Sequence, residues 1–63
     1  MAYPYLSIKV DMNGAVFEDY EELPRILHLI AEQYSQGNRA MGILDVNGNR
    51  VGQWVIEQEP EQD

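Results

Sequence analysis

The chain contains no cysteine and a single histidine, His28, among its 63 residues. It can form no disulfide bond, and it lacks the thiolate and imidazole ligands of a typical transition-metal site, although domains this small often depend on such links. Folding buries only about 60% of the surface of a domain of this size. We therefore predict no metal and no cofactor, and we expect contact with another protein molecule to add stability.

Basic residues are scarce, because four Lys and Arg stand against eleven Asp and Glu, for a formal net charge of −7. The four are spread along the chain, at Lys9, Arg25, Arg39 and Arg50. Nucleic-acid phosphates and anionic membrane surfaces repel a protein with this charge. We expect no direct nucleic-acid binding and no membrane binding.

Long apolar runs are absent as well, since none approaches the roughly 18 residues that indicate a membrane span. The first four residues, Met1-Ala2-Tyr3-Pro4, lack the basic region and apolar core of a signal peptide. A cytoplasmic location is the default expectation. A hydrophobic content of 44% is typical of a folded domain.

The segment Asp45-Val46-Asn47-Gly48-Asn49 lies between two apolar runs and predicts a β-hairpin. Two registers are possible. A two-residue turn at 47–48 places Leu44 opposite Val51, whereas a type I turn at 45–48 with a glycine bulge places Leu44 opposite Arg50. A slip of one residue between them exchanges the two faces of a strand.

Residues 5–12 alternate between apolar and polar side chains, which predicts a first strand. An apolar stripe with three- and four-residue spacing then predicts a helix at about 20–36. Asp19 and Glu22 resemble a capping box at its start, and Gly37 has the position of a left-handed terminator. Residues 15–17 either form a brief extended return or do not form a strand.

The predicted fold is α+β with the order β-α-β-β: a three-stranded, mainly antiparallel sheet with one helix packed on one face and the first strand paired with the last. One domain covers 1–57, and 58–63 is predicted to be a disordered acidic tail. The predicted core comprises Leu6, Ile8, Val10, Phe17, Leu23, Ile26, Leu27, Ile30, Tyr34, Ile43 and Trp54.

The final strand is predicted to be apolar on both sides, with Val51 and Val55 on one face and Trp54 and Ile56 on the other. One helix covers only one face of a three-stranded sheet. These four residues, together with Leu29, which lies off the apolar stripe of the helix, are the candidate interface. This pattern predicts a second sheet face buried in a homodimer or against a protein partner.

A second hypothesis rests on the acidic patch of Glu18, Asp19, Glu21 and Glu22. Such carboxylates imitate nucleic-acid phosphates, so the chain would inhibit a DNA- or RNA-binding protein by occupying its site. Acids at a helix N-terminus also have a structural explanation, because the helix dipole stabilises them. His28, Ser7 and Ser35 have no predicted catalytic partners, so we predict no catalytic residue and no enzymatic activity.

The motif Asp45-Val46-Asn47-Gly48-Asn49-Arg50-Val51-Gly52, with Phe17-Glu18-Asp19 before the helix and Trp54 after the hairpin, resembles a group of small uncharacterised bacterial proteins. Members are short single-domain chains often found among mobile-element and prophage genes. The resemblance implies the strand-helix-strand-strand fold. It implies no activity and transfers no catalytic or binding residue.

Overall fold

Three strands and one helix form in the order that the sequence predicts. The computed structural model describes residues 3–58. Strand β1 spans Pro4–Val10, helix α1 spans Glu22–Ser35, strand β2 spans Ala40–Leu44 and strand β3 spans Arg50–Gln58. The central strand is β3, which is antiparallel to both of its neighbours. The α+β fold and the pairing of the first strand with the last are therefore confirmed. The predicted tail at 58–63, apart from Gln58, lies outside the described residues.

The connection from β1 to α1 contains a turn of 3-10 helix, Ala15–Glu18, rather than an extended return. Its backbone closes with hydrogen bonds from Phe17 N–H to the carbonyl of Gly14 and from Asp19 N–H to the carbonyl of Val16. Phe17 is thereby placed against the core, where its ring is half-buried. The prediction that Phe17 belongs to the core is confirmed.

The ends of α1 agree only in part with the sequence signals. Gly37 has φ +98°, so it is the left-handed terminator that the sequence predicts. At the other end, Asp19 Oδ1 accepts a hydrogen bond from Glu21 N–H at 2.9 Å. The capping box is wrong, because Glu22 is buried and its carboxylate bonds to Arg25 and to the hairpin.

The hairpin combines the two registers that the sequence left open. Gly48 has φ +85° and its N–H donates to the carbonyl of Asp45 at 3.0 Å, and Leu44 lies opposite Arg50. These are the features of the type I turn with a glycine bulge. The register then shifts between Ile43 and Leu44, so that the rest of β2 follows the register of a two-residue turn. Val51 is the extra residue that the shift creates in β3.

The buried core is smaller than the predicted one. It consists of Ile26 and Ile30 from α1, Ile43 from β2 and Trp54 from β3, so the helix packs over β2 and β3. Four side chains predicted to be buried are instead largely exposed: Leu6 at 51%, Ile8 at 38%, Leu27 at 45% and Tyr34 at 49%. The core prediction is wrong for these four residues, because the helix does not extend over β1.

Candidate interaction groove

The four exposed residues of the predicted core all lie in one place. They line an apolar groove of about 400 Å³ between α1 and the inner faces of β1 and β3. We call this the apolar groove, and its lining consists of Leu6, Ile8, Leu27, Ile30, Ala31, Tyr34, Trp54 and Ile56. Every lining residue is hydrophobic or aromatic, as is usual for a surface that another molecule covers.

The groove arises from how the apolar stripe of α1 is rotated relative to the sheet. Ile26 and Ile30 face the sheet directly and are buried. Leu27 and Tyr34 are seven residues apart, and each lies about a quarter of a turn further round the helix, on the side of β1. Half of the stripe therefore faces the groove instead of the core.

Polar contacts hold the aromatic part of the groove in place. Trp54 is 1% exposed, and its indole Nε1 donates a hydrogen bond to Oε1 of Gln33 at 2.8 Å. The ring of Tyr34 meets the indole edge-on, with centroids 6.5 Å apart at an angle of 62°. The guanidinium of Arg39 lies 4.7 Å from the centre of the Tyr34 ring. Contacts on both sides therefore position Tyr34.

Two of the five candidate interface residues, Trp54 and Ile56, line the groove. Val51 packs against the core cluster because the bulge turns it towards the helix side. Val55 is half-buried on the reverse face of the sheet, and Leu29 is exposed outside the groove. The structure does not bring the five residues together.

The reverse face is less apolar than the sequence predicts. With Val51 packed against the core, β3 presents Val55 there, opposite Ser7 on β1 and Ala40 on β2. These two neighbours are small and one is polar. The apolar groove lies instead on the helix side, at the edge that the helix does not reach.

The four residues of the acidic patch are not a single surface either. Glu18, Asp19 and Glu21 are exposed, whereas Glu22 is only 4% exposed. Its carboxylate accepts two hydrogen bonds from the Arg25 guanidinium, both at 2.9 Å, and one from Val46 N–H at 2.9 Å. Glu22 therefore joins the helix to the hairpin turn and is withdrawn from the patch.

Electrostatics support the same structural role. The bidentate hydrogen bonds from Arg25 hold the pKa of Glu22 below its usual range, and Glu22 in turn raises the pKa of Arg25. Asp45 begins the hairpin turn, and its pKa is lowered first by the backbone N–H of Asn49 and further by the N–H of Asn47. Both carboxylates are thus ionised at neutral pH, and each accepts hydrogen bonds from backbone N–H groups of the hairpin.

Chemistry-bearing groups are sparse elsewhere in the described part of the chain. Residues 3–58 contain no group of three or more His, Cys, Asp or Glu side chains that could hold a metal ion. His28 is exposed on the helix. None of the helices formed by these residues has the length and apolar character needed to cross a membrane.

Comparisons with known proteins give no relative from which a role could be transferred. Neither the family models nor the curated proteins nor the solved structures contain a match to this chain. Any role for the groove is therefore inferred from its geometry alone. The sequence contained one signal for it, since the apolar stripe of α1 is wider than the contact that a single helix makes with a sheet.

Proposed function

We propose that this chain is a non-enzymatic, cytoplasmic protein-interaction module, and that its interface is the apolar groove. The observation that carries the proposal is the position of Leu6, Ile8, Leu27 and Tyr34. They follow the periodicity of core residues, yet each is between 38% and 51% exposed. A protein segment that covers them would complete the hydrophobic core.

Energetics support the same proposal. Burial of apolar surface contributes about 25 cal/mol per Å². A chain of 63 residues without disulfides has few other means of stabilisation. The occupant of the groove would therefore stabilise the fold while it binds, which couples stability to association. The reverse face supports this role less well, because Ser7 and Ala40 flank Val55 there.

Two leucines on α1 provide a matched test. Leu27 lines the groove and Leu29 lies outside it, yet both are exposed. A photoreactive benzophenone side chain is introduced at either position, and the chain is illuminated in the cells that produce it. The expected result is a protein adduct of discrete mass from position 27 and none from position 29. Equal adduct formation at the two positions would contradict a role for the groove.

Salt separates this proposal from the acidic-inhibitor hypothesis. Apolar contacts change little as ionic strength rises, whereas phosphate imitation depends on charges that salt screens. In a lysate of the same cells, the yield of the adduct at position 27 should therefore stay the same when the salt concentration is raised before illumination. The inhibitor hypothesis has less support, because Glu22 bonds to Arg25 and three exposed carboxylates are left, at Glu18, Asp19 and Glu21.

A further inference from the structure

β1 is an outer edge of the sheet formed by residues 3–58, and its pairing with β3 shows which of its backbone N–H and C=O groups face the open side. Asp11 N–H donates to the carbonyl of Val51 at 2.7 Å, which identifies a hydrogen-bonded pair of the β1–β3 ladder. Hydrogen-bonded and non-hydrogen-bonded pairs alternate in an antiparallel ladder. The backbone groups of Leu6, Ile8 and Val10 are therefore directed away from β3, towards the open edge.

The side chains of the same residues belong to the helix side of the sheet. Leu6 pairs with Ile56 and Ile8 pairs with Trp54, so they share the face that carries the groove. An open backbone edge and an open apolar wall thus meet along one strand. Whatever adds a strand to this edge also places its own side chains beside the groove.

We propose that the occupant is a second copy of this chain, paired antiparallel through β1 with Ser7 on the two-fold axis. This inference rests on the proposed interaction function and adds the identity of the partner. In this register each of the seven residues of Pro4–Val10 lies opposite a residue of the other copy, and Pro4, which has no N–H, can only accept there. Leu6 of each copy lies opposite Ile8 of the other, on the groove side of the joined sheet.

The two-fold axis is perpendicular to the sheet, so both helices lie on one face. Each groove opens towards its own β1, and the two grooves therefore join into one continuous apolar trough across the seam. Cross-strand contacts between Leu6 and Ile8 form its centre, and Leu27 and Tyr34 of both copies form its walls. The two-fold rotation thus brings the exposed apolar residues of the two copies to one side of the joined sheet.

Charge supports this register over the register centred on Ile8. Lys9 is the charged residue of Pro4–Val10, and it pairs with Gln53 on the reverse face. With Ser7 on the axis, the two Lys9 positions are four residues apart along the strand, or about 14 Å. A shift that centres the pairing on Ile8 would halve that separation.

The same register gives each lysine a carboxylate. Lys9 of one copy lies opposite Tyr5 of the other, and the Tyr5 hydroxyl donates to Glu57 at 3.3 Å. The Lys9 ammonium group of one copy therefore lies beside Tyr5 of the other copy, close to the carboxylate of Glu57. Attraction of this kind opposes the repulsion between two chains of charge −7.

The other outer edge of the sheet is less suited to self-pairing. β2 is five residues long, and its register shifts between Ile43 and Leu44. The guanidinium of Arg25 already donates to the carbonyl of Leu44 at 3.2 Å. A short, irregular and partly occupied edge offers fewer backbone groups than β1 does.

Single cysteines test both the dimer and its register, because the natural chain contains none. Ser7→Cys places two thiols at a non-hydrogen-bonded pair, where Cα atoms are about 4.5 Å apart and a disulfide fits. Gln53→Cys is the control, because Gln53 lies on the same face of the sheet but on β3, away from the seam. In a glutathione buffer, Ser7→Cys should form linked dimer at least about tenfold faster, because pairing raises the effective thiol concentration. Equal rates would overturn the pairing centred on Ser7.

Sedimentation equilibrium of the unchanged chain completes the test. The inference predicts an average mass that rises from that of a monomer towards that of a dimer as the protein concentration increases. The same rise should be seen at high salt. A monomer at every concentration, together with slow linkage of Ser7→Cys, would overturn the dimer. If the benzophenone at position 27 then captured a different protein, the interaction function would stand without self-pairing. If it captured nothing, both proposals would fail.

Discussion

The carboxylate of Glu22 in the first turn of α1 accepts a hydrogen bond at 2.9 Å from the backbone N–H of Val46, which lies 24 residues further along the chain. Arg25 binds both oxygens of the same carboxylate and also donates to the carbonyl of Leu44. One helical turn is thus fastened to the hairpin turn through a buried acid. Glu22 is thus a polar link between α1 and the hairpin, in addition to the apolar contacts of Ile26 and Ile30 with Ile43 and Trp54.

Glu22→Gln should lower the midpoint of thermal unfolding, because a neutral amide cannot replace the bidentate ion pair with Arg25. Glu21→Gln is the matched control, since Glu21 is the exposed neighbour and carries the same charge. Circular dichroism during heating measures both variants. The role of Glu22 would be contradicted if the two substitutions lowered the midpoint equally.

Stability should also depend on pH through Glu22 and Asp45. Both have a pKa lowered in the folded chain, relative to usual values of 4.5 and 3.8. A lowered pKa means that the unfolded chain binds protons first, so these groups stabilise the fold above their usual pKa values. The contribution is lost as pH falls below that range towards the folded pKa values.

A double variant, Glu22→Gln with Asp45→Asn, isolates this effect from the general loss of negative charge in acid. Urea unfolding is measured from about pH 7 to about pH 3 for both chains. The stability difference between them should shrink as the pH falls. A difference that stays constant over this range would show that the two carboxylates do not cause the pH dependence.

Gly52 is predicted to tolerate no side chain. A Cβ at Gly52 would overlap the backbone carbonyl of Lys9 on the paired strand. Backbone atoms cannot move aside without shifting β1, so Gly52→Ala should lower the free energy of unfolding by about 1–3 kcal/mol. Gly42→Ala is the control, since its Cβ would meet the flexible end of Arg50 at 3.4 Å. Equal losses for the two variants in urea unfolding would count against this explanation.

The hairpin illustrates what local sequence chemistry can predict. Asp45 and Gly48 define the turn. The Asp45 carboxylate accepts a hydrogen bond from the N–H of Asn47, and Gly48 adopts the positive φ that the turn requires. Gly37 ends the helix for the same conformational reason. These features depend on a few adjacent residues, so a single sequence contains the information.

Burial was harder to predict, because it depends on how α1 is rotated on the sheet. Ile26 and Leu27 are adjacent and equally apolar, yet one is fully buried and the other lines the groove. Glu22 was misassigned for a related reason, since its partner Val46 is 24 residues away. Val51 lies on the helix side because the register shifts between Ile43 and Leu44. Neither of the two candidate registers included that shift.

The indole of Trp54 should depend on one distant acceptor. Gln33→Leu would leave its Nε1–H buried without the Oε1 partner at 2.8 Å, at a cost of about 1–3 kcal/mol. Gln53→Leu, on the exposed side of β3, is the control. Trp54→Phe in the Gln33→Leu background should cost less than the sum of the single changes, because it removes the orphaned donor. Strict additivity in urea unfolding would argue against the hydrogen bond.

Ile26 and Leu27 allow stability itself to report on the groove. Ile26→Ala should cost about 2–5 kcal/mol at any protein concentration, because that side chain is buried within one chain. Leu27→Ala should cost little in dilute solution, where the groove is open. Its cost should rise with concentration, because the second copy would join its own groove to this one and reduce the exposure of Leu27.

Thermal midpoints at about 1 µM and about 1 mM distinguish the two behaviours, since binding to the folded state raises the midpoint as concentration increases. The expected result is a midpoint difference from the unchanged chain that widens for Leu27→Ala and stays constant for Ile26→Ala. A constant, small difference for Leu27→Ala would mean that self-association leaves the groove uncovered. The exposed half of the helical stripe would then be a surface for a different protein, because the same four residues would still complete a core that the single chain leaves open.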